Sequence, residues 1–323
     1  MKEGLPLVDR HKVVVLSITY NHSQYIEETL KGFAMQQTDF PFLCCVFDDA
    51  STDGEQEILK RWIDEHCHHD DVEVYDHPLT IVLKAPDKTN PNCIYAIHLQ
   101  KVNTWGKPEK KELLKYWQQA GEYITMCEGD DCWIDSLKLQ KQVDFMDANP
   151  DYSLCFHNAI ILNERVEVKE RIKSFCYFKQ DQQISAERLI EDWYIPTASV
   201  LYRKSSYDQL ELPKFFSGDY TLELALASIG KVYYIDRYMS VYRLNNGGVS
   251  SKISVKKWTK QLFGLLEWYD NHTSRQYHNE IQSRIREVRK NTCYIMLKDK
   301  SMLLPVICMP KYTLKMLRSK LGL

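Results

Sequence analysis

The run Lys12–Ile18, Lys-Val-Val-Val-Leu-Ser-Ile, limits the possible folds more than any other stretch. It is rich in β-branched residues and has no polar alternation, so it does not suit a strand with one wet face. It reads as a strand buried on both sides, as in parallel sheets. Thr19-Tyr20-Asn21-His22 ends it. Tyr25, Ile26, Leu30 and Phe33 then recur at helical spacing, with Asn21 and Gln24 placed as a variant capping box. Leu43–Phe47 is a second buried strand. A helix over about Glu55–His66 follows, with Ile58, Leu59 and Trp62 inward, and Val72–Tyr75 is a third short strand. This β-α-β-α-β order predicts a parallel sheet with crossover helices, which binds ligands at the carboxyl ends of its strands.

Those ends are acidic. Leu43–Phe47 runs into Asp48-Asp49-Ala50-Ser51-Thr52-Asp53-Gly54, and the strand Tyr123–Cys127 runs into Glu128, Asp130 and Asp131. Carboxylates packed together repel, and burying them unpaired costs several kcal/mol. A hard divalent cation offsets that cost and takes phosphate oxygens as further ligands. A solvated acidic turn is the plainer reading of either cluster alone. The convergence of three strand ends on one crevice favours a metal–phosphate site.

The remaining chain is less regular. Residues 78–108 carry Pro86, Asn90, Pro91, Asn92 and Gly106 and read as a loop, with one helix near Ile94–Val102. Helices are expected over Glu109–Ala120, Ser136–Ala148, Ile184–Trp193 and from Gly218 to Ile229. Strands are expected over Ser153–His157, Ala159–Leu162, Pro196–Tyr202 and Val232–Ile235. Val255, Trp258, Leu262, Leu265 and Tyr269 mark one amphipathic helix; Ile281, Ile285, Val288, Thr292 and Ile295 mark another. Lys298, Lys300, Lys311, Lys315, Arg318 and Lys320 make the end basic, with an apolar stripe of Leu314, Leu317 and Leu321. Such a tail suits contact with an anionic membrane surface, or a helix packed on the body with a solvated basic face.

Composition excludes some classes. With 44% hydrophobic and 27% charged residues and a net charge of −2, the 323-residue chain has material for a large core and lacks the basic excess of a nucleic-acid binder. No signal peptide or membrane span is evident, and the ten cysteines contain no C-x-x-C pair, which points to reduced thiols and a cytoplasmic location. His66-Cys67-His68-His69 resembles a metal cluster, but adjacent ligands cannot all turn toward one ion.

Four segments in order, Leu16-Ser-Ile-Thr-Tyr-Asn, Phe47-Asp-Asp-Ala-Ser-Thr-Asp-Gly, Glu128-Gly-Asp-Asp-Cys-Trp and Ser217-Gly-Asp-Tyr, resemble family-2 glycosyltransferases of the inverting GT-A type. The resemblance covers about residues 12–250 and is nearest to bacterial enzymes of surface-polysaccharide synthesis. It implies an α/β fold, a Rossmann-like, mostly parallel sheet flanked by helices, with a C-terminal helical extension. The divisions would be a nucleotide-binding half (1–120), a metal and acceptor half (121–252) and a helical region with the basic tail (253–323).

The implied activity is metal-dependent, inverting, non-processive transfer of one sugar. The donor would be a UDP- or dTDP-sugar and the acceptor a hydroxyl of a glycan or lipid-linked oligosaccharide. The enzyme would act at the inner face of the plasma membrane. By resemblance, Thr19, Tyr20 and Asn21 line the nucleotide pocket, Asp49 accepts a base N–H, and Asp130 holds the ribose. Asp131 binds Mn²⁺ or Mg²⁺, Arg243 meets the diphosphate, and Asp219 is the catalytic base, with Glu223 one helical turn on as its substitute. Leu244-Asn245 departs from the family, where a histidine often follows the Tyr-Arg pair. A catalytically degenerate relative serving as a sugar-binding or assembly module is the alternative.

Overall fold

The computed structural model describes residues 4–7, 9–166, 172–213, 218–245 and 254–298. Its first half is built as the apolar runs require. Strand β1 (His11–Thr19) leads to helix α1 (Ile26–Ala34), and β2 (Phe42–Asp48) leads to α2 (Glu55–His66). β1 lies parallel to β2, with Thr19 opposite Asp48. On its other side β1 lies parallel to β6 (Gly121–Met126), which follows α3 (Pro108–Gln118).

The third parallel strand differs from expectation. It is β5 (Cys93–Gln100), paired in parallel with β2 so that Asp48 faces Leu99. The turn-forming residues around this stretch suggest loop and helix instead. A short apolar run has no periodicity that separates a buried strand from a helix. Residues 73–77 form β3 (Glu73–His77), an outer strand antiparallel to β4 (Thr80–Pro86), which is itself antiparallel to β5. Pro86 is tolerated because it closes β4 at the strand's end.

Beyond β6 the sheet becomes mixed. After the two-residue β7 (Cys132–Trp133) and α4 (Lys138–Ala148) comes β8 (Tyr152–Asn163), one strand where two were expected. Buried Asn158 sits inside it, and its side-chain oxygen accepts from the Cys176 and Ala159 amides at 2.8 and 2.9 Å. β9 (Ile172–Ser174) pairs with β8; β10 (Gln182–Ile184) and α5 (Ala186–Glu191) follow. Thr197–Ser199 is a 3₁₀ turn rather than strand, leading into β11 (Leu201–Arg203), which is inserted antiparallel between β6 and β8. α6 (Lys204–Tyr207), α7 (Gly218–Ala227) and the long β12 (Lys231–Leu244) complete this half, with β12 parallel to β8. The full order is β10-β12-β8-β11-β6-β1-β2-β5-β4-β3.

Alternation along the central strands divides the core between the sheet's two faces. Val13, Val15, Cys44, Val46 and Tyr95 pack with Ile26, Phe33, Leu59, Trp62 and Val143 from α1, α2 and α4. Val14, Leu16, Cys45, Phe47 and Ile124 pack with Trp117 of α3 and Leu224 of α7. The two amphipathic helices expected near the end are α8 (Val255–His272) and α9 (His278–Lys298), joined to the second cluster through Leu262, Leu265, Tyr269, Ile281 and Ile285. The basic tail from Lys300 onward lies outside the described residues, as does Ser217 of the fourth motif. No helix among the described residues is long and apolar enough to cross a membrane.

Candidate active site

The carboxyl ends of β1, β2, β5 and β6 share one edge of the sheet, and the expected acids lie there. Pairing between β1 and β6 continues past the last strand residue through Gly129 N–H to Ile18 C=O, 3.1 Å. This brings the backbone of Gly129 hard against Thr19. A Cβ at position 129 would lie 2.1 Å from the Thr19 hydroxyl oxygen, so only glycine fits between Glu128 and Asp130.

The three acids around Gly129 have different surroundings. Glu128 is exposed to solvent yet closely surrounded by protein. That partial desolvation, then the charges of Asp219, Asp130 and Asp131, push its carboxyl well up. Asp130 accepts from the Asn245 amide at 2.7 Å and lies 3.7 Å from the His22 ring nitrogen. Asp131 is 1% exposed. One of its oxygens accepts the Arg243 backbone N–H at 2.8 Å, while the other is buried with no hydrogen-bond partner among the described residues. Burial first, and the neighbouring Asp130 second, push Asp131 well above the usual carboxylate range. The residue expected to hold the metal is therefore the most enclosed of the three. Glu128 and Asp130 face the crevice more openly.

The β1–α1 and β2–α2 loops are stitched together, and the stitch uses residues expected at the nucleotide. Buried Glu55 accepts from the Thr19 hydroxyl, from the His22 N–H at 2.9 Å and from the Ser51 hydroxyl at 2.9 Å. Burial raises its pKa while these donors pull it down. Asn21, at φ 56°, receives the Thr52 N–H on its side-chain oxygen at 2.8 Å and gives its own N–H to Ser51 at 2.8 Å. Thr19 is thus enclosed behind the loop, while Asn21 and Tyr20, the latter 45% exposed, remain open to solvent. Asp49 is buried. Thr104 donates to one oxygen through its N–H and its hydroxyl, both at 2.8 Å, and Lys110 pairs with the other at 2.9 Å. The second oxygen, met by Lys110 alone, keeps acceptor capacity for a further donor.

The opposite wall comes from α7 and the end of β12. Asp219, in the first turn of α7, accepts the Thr197 hydroxyl at 2.8 Å. A helix N-terminus alone would lower its pKa. Burial outweighs that and the Thr197 bond, and the carboxyl is pushed up, which strengthens it as a base. Glu223 is almost fully buried, with Trp193 donating to one oxygen at 3.3 Å. Arg243, expected at a diphosphate, has its guanidinium spent on the protein. It donates to the Asp130 carbonyl at 2.8 Å and to Glu28, and lies 5.1 Å from the Tyr25 ring centre.

Glu55, His22, Thr104, Lys110 and Asn245 were not expected from sequence as parts of this site. Their partners are distant in the chain, with Thr104 lying 55 residues from Asp49, and no spacing signature marks such pairs. Among the described residues no three His, Cys, Asp or Glu side chains converge to hold a metal. The His66–His69 stretch is no exception: Cys67 is buried and His66 stacks on Trp62 at 3.7 Å. The donor set of Glu128 and Asp130 still fits a hard cation that arrives with a diphosphate, because Mg²⁺-like ions take one or two carboxylates and complete their shell with phosphate and water.

Residues 14–80 match the family model described as glycosyl transferase family 2. The staphylococcal TarS fragment 1-349 bound to UDP-GlcNAc superposes with a TM-score of 0.63 over 90% of this chain and 76% of that one, at 16% identity. Segment 14–80 is family-2-like and the whole fold is GT-A-like. A mannosyltransferase of Pyrobaculum calidifontis, solved with GDP-Man and Mn²⁺, gives a TM-score of 0.53 over 99% of this chain and 84% of that one, at 15% identity. Among curated proteins, an uncharacterized protein of Mycobacterium tuberculosis is 30% identical over 236 residues, 73% of this chain. The chain spans 59% of that relative's length. The putative teichuronic acid biosynthesis glycosyltransferase TuaG of Bacillus subtilis is 23% identical over 259 residues, 76% of this chain and 85% of that protein.

Proposed function

We propose that the chain is a family-2 glycosyltransferase that moves one sugar from a nucleoside-diphosphate sugar to a hydroxyl of a glycan or lipid-linked acceptor, with inversion. The observation that carries this reading is the meeting of two sets of acids in one crevice. Glu128 and Asp130 come from the end of β6, and Asp219 comes from the first turn of α7, close enough that its charge raises the Glu128 pKa. One set suits a diphosphate with its cation; the other suits an acceptor proton.

In this mechanism Tyr20 and the Asp49 neighbourhood take the nucleotide, UDP or dTDP. Asp130 and Glu128 would hold Mn²⁺ or Mg²⁺. Asp131, pinned by the Arg243 amide, would fix the turn that presents them. The ion, when bound, would supply Lewis-acid stabilisation of the leaving diphosphate. Asp219 takes the acceptor hydroxyl proton as that oxygen bonds to the anomeric carbon. The bond from carbon to phosphate oxygen breaks on the opposite face, and the nucleoside diphosphate leaves with the electron pair. Thr197 holds the Asp219 carboxylate in place through its hydroxyl. Action in surface-polysaccharide synthesis, beside the cytoplasmic face of the membrane, suits a lipid-linked acceptor.

Thermal melting with nucleoside diphosphates, with and without Mn²⁺, tests the donor half of this reading. A ligand at a hundred times its dissociation constant stabilises by about 2.7 kcal/mol. A Mn²⁺-dependent rise with UDP or dTDP that Asp130→Asn abolishes is the expected result. A well-folded sample that responds to no nucleotide would instead favour a sugar-binding or assembly module.

A further inference from the structure

We infer that Trp105 is the stacking platform for the base of the donor nucleotide, a role that rests on the donor reading above. The indole is 56% exposed, yet its backbone is tightly held. After β5 the chain folds over the crevice edge onto Asp49. The Asn103 side chain donates to the Asp49 carbonyl at 3.0 Å, and Thr104 donates twice to the Asp49 carboxylate. The Trp105 N–H donates to the Asn103 side chain at 3.1 Å, and the Lys107 N–H closes a turn on the Thr104 carbonyl at 3.0 Å. Gly106, at φ +74°, supplies the left-handed corner of that turn.

A large aromatic held in solvent on a rigid turn is poised for a planar ligand. Sheet order places it well. β2, which carries Asp49 at its end, lies between β1 and β5. Two exposed aromatics, Tyr20 after β1 and Trp105 after β5, thus follow the strands on either side of the one that ends at Asp49. The Lys110 ammonium lies 5.7 Å from the indole centre and 2.9 Å from Asp49. Lys110 thus ties the indole to the Asp49 strand end. Stacking on an aromatic face needs no particular base edge.

The test compares Trp105→Ala, Trp105→Leu and Trp105→Phe with the wild-type chain, by calorimetric titration of UDP, dTDP, GDP, CDP and ADP in Mn²⁺. Unchanged melting temperatures would show that the exposed side chain is dispensable for folding. The expected result is a loss of roughly 5- to 100-fold in affinity for the preferred nucleotide in the Ala and Leu variants. Phe should retain most of the affinity. Equal affinity in the wild type and Trp105→Ala, or equal affinity in the Leu and Phe variants, overturns the stacking role and leaves the donor reading standing. Failure of the wild type to bind any of the five nucleotides overturns the donor reading itself.

Discussion

At the scale of single residues, the crevice works through unequal carboxylates. Burial and then the Asp219 charge push Glu128 up, and burial pushes Asp219 up. The base must be ionised to act, so kcat/KM should rise with pH through the raised pKa of Asp219. Glu128→Gln removes one negative neighbour. The acid limb should then move to lower pH, whatever happens to the maximal rate, and a pH–rate profile reads this directly. An unmoved limb would mean that the Glu128 charge does not act on Asp219. Asp219→Asn should lose about 10²- to 10⁴-fold in turnover while donor binding persists, because general-base catalysis contributes on that order. Nucleotide titration and single-turnover assays separate the two effects.

Elements place these residues, and their joints are where substitution should tell most. Gly129 is the joint between β1 and β6. Gly129→Ala would put its Cβ 2.1 Å from the Thr19 hydroxyl oxygen and 2.4 Å from the Thr19 Cβ, so one strand end must shift. Overpacking of this kind costs about 1–3 kcal/mol. The shift would also break the register between the donor loop and the acids. Both a lower melting temperature and weaker nucleotide binding are expected; a variant as stable as the wild type would show that the joint yields. Much of this scaffold was legible in the sequence. The apolar runs of β1 and β2 and the amphipathic stripe of α2 stand at the expected positions because burial on two faces, or on one helical face, leaves a plain pattern. β5 was hidden by the turn-forming residues around it. Asn158 looks like a break between two strands, whereas from inside β8 its side chain accepts from the Ala159 and Cys176 amides. Asp49, Asp130 and Asp219 were visible as acids at strand or helix ends. Their partners were not, because Thr104, Lys110, Asn245 and His22 reach them through tertiary folding alone.

For the molecule as a whole, Lys138 makes stability depend on pH in a definite direction. It is fully buried under the sheet, with its ammonium 4.1 Å from the Trp133 ring centre. It donates to Gln142 at 2.8 Å and to Thr125 at 3.2 Å. Desolvation lowers its pKa from 10.5 to about 7. Nearby Cys127 and Cys155 would favour the charged form only as thiolates, but burial pushes both thiols up, so they are neutral at moderate pH. Between about pH 7 and 10.5 the unfolded chain therefore binds a proton that the folded chain releases, and folding gains stability as pH rises. Below that window the lysine is protonated in both states and the full burial penalty remains. Lys138→Met fills similar volume without a charge, at the cost of leaving Gln142 one donor short. The stability of the wild type relative to this variant should climb by up to about 1.4 kcal/mol per pH unit between about pH 7 and 9. Denaturant titrations at several pH values measure that difference while cancelling groups common to both proteins. A difference that stays flat across the window would mean that Lys138 keeps its charge in the core, held by Trp133, Gln142 and Thr125.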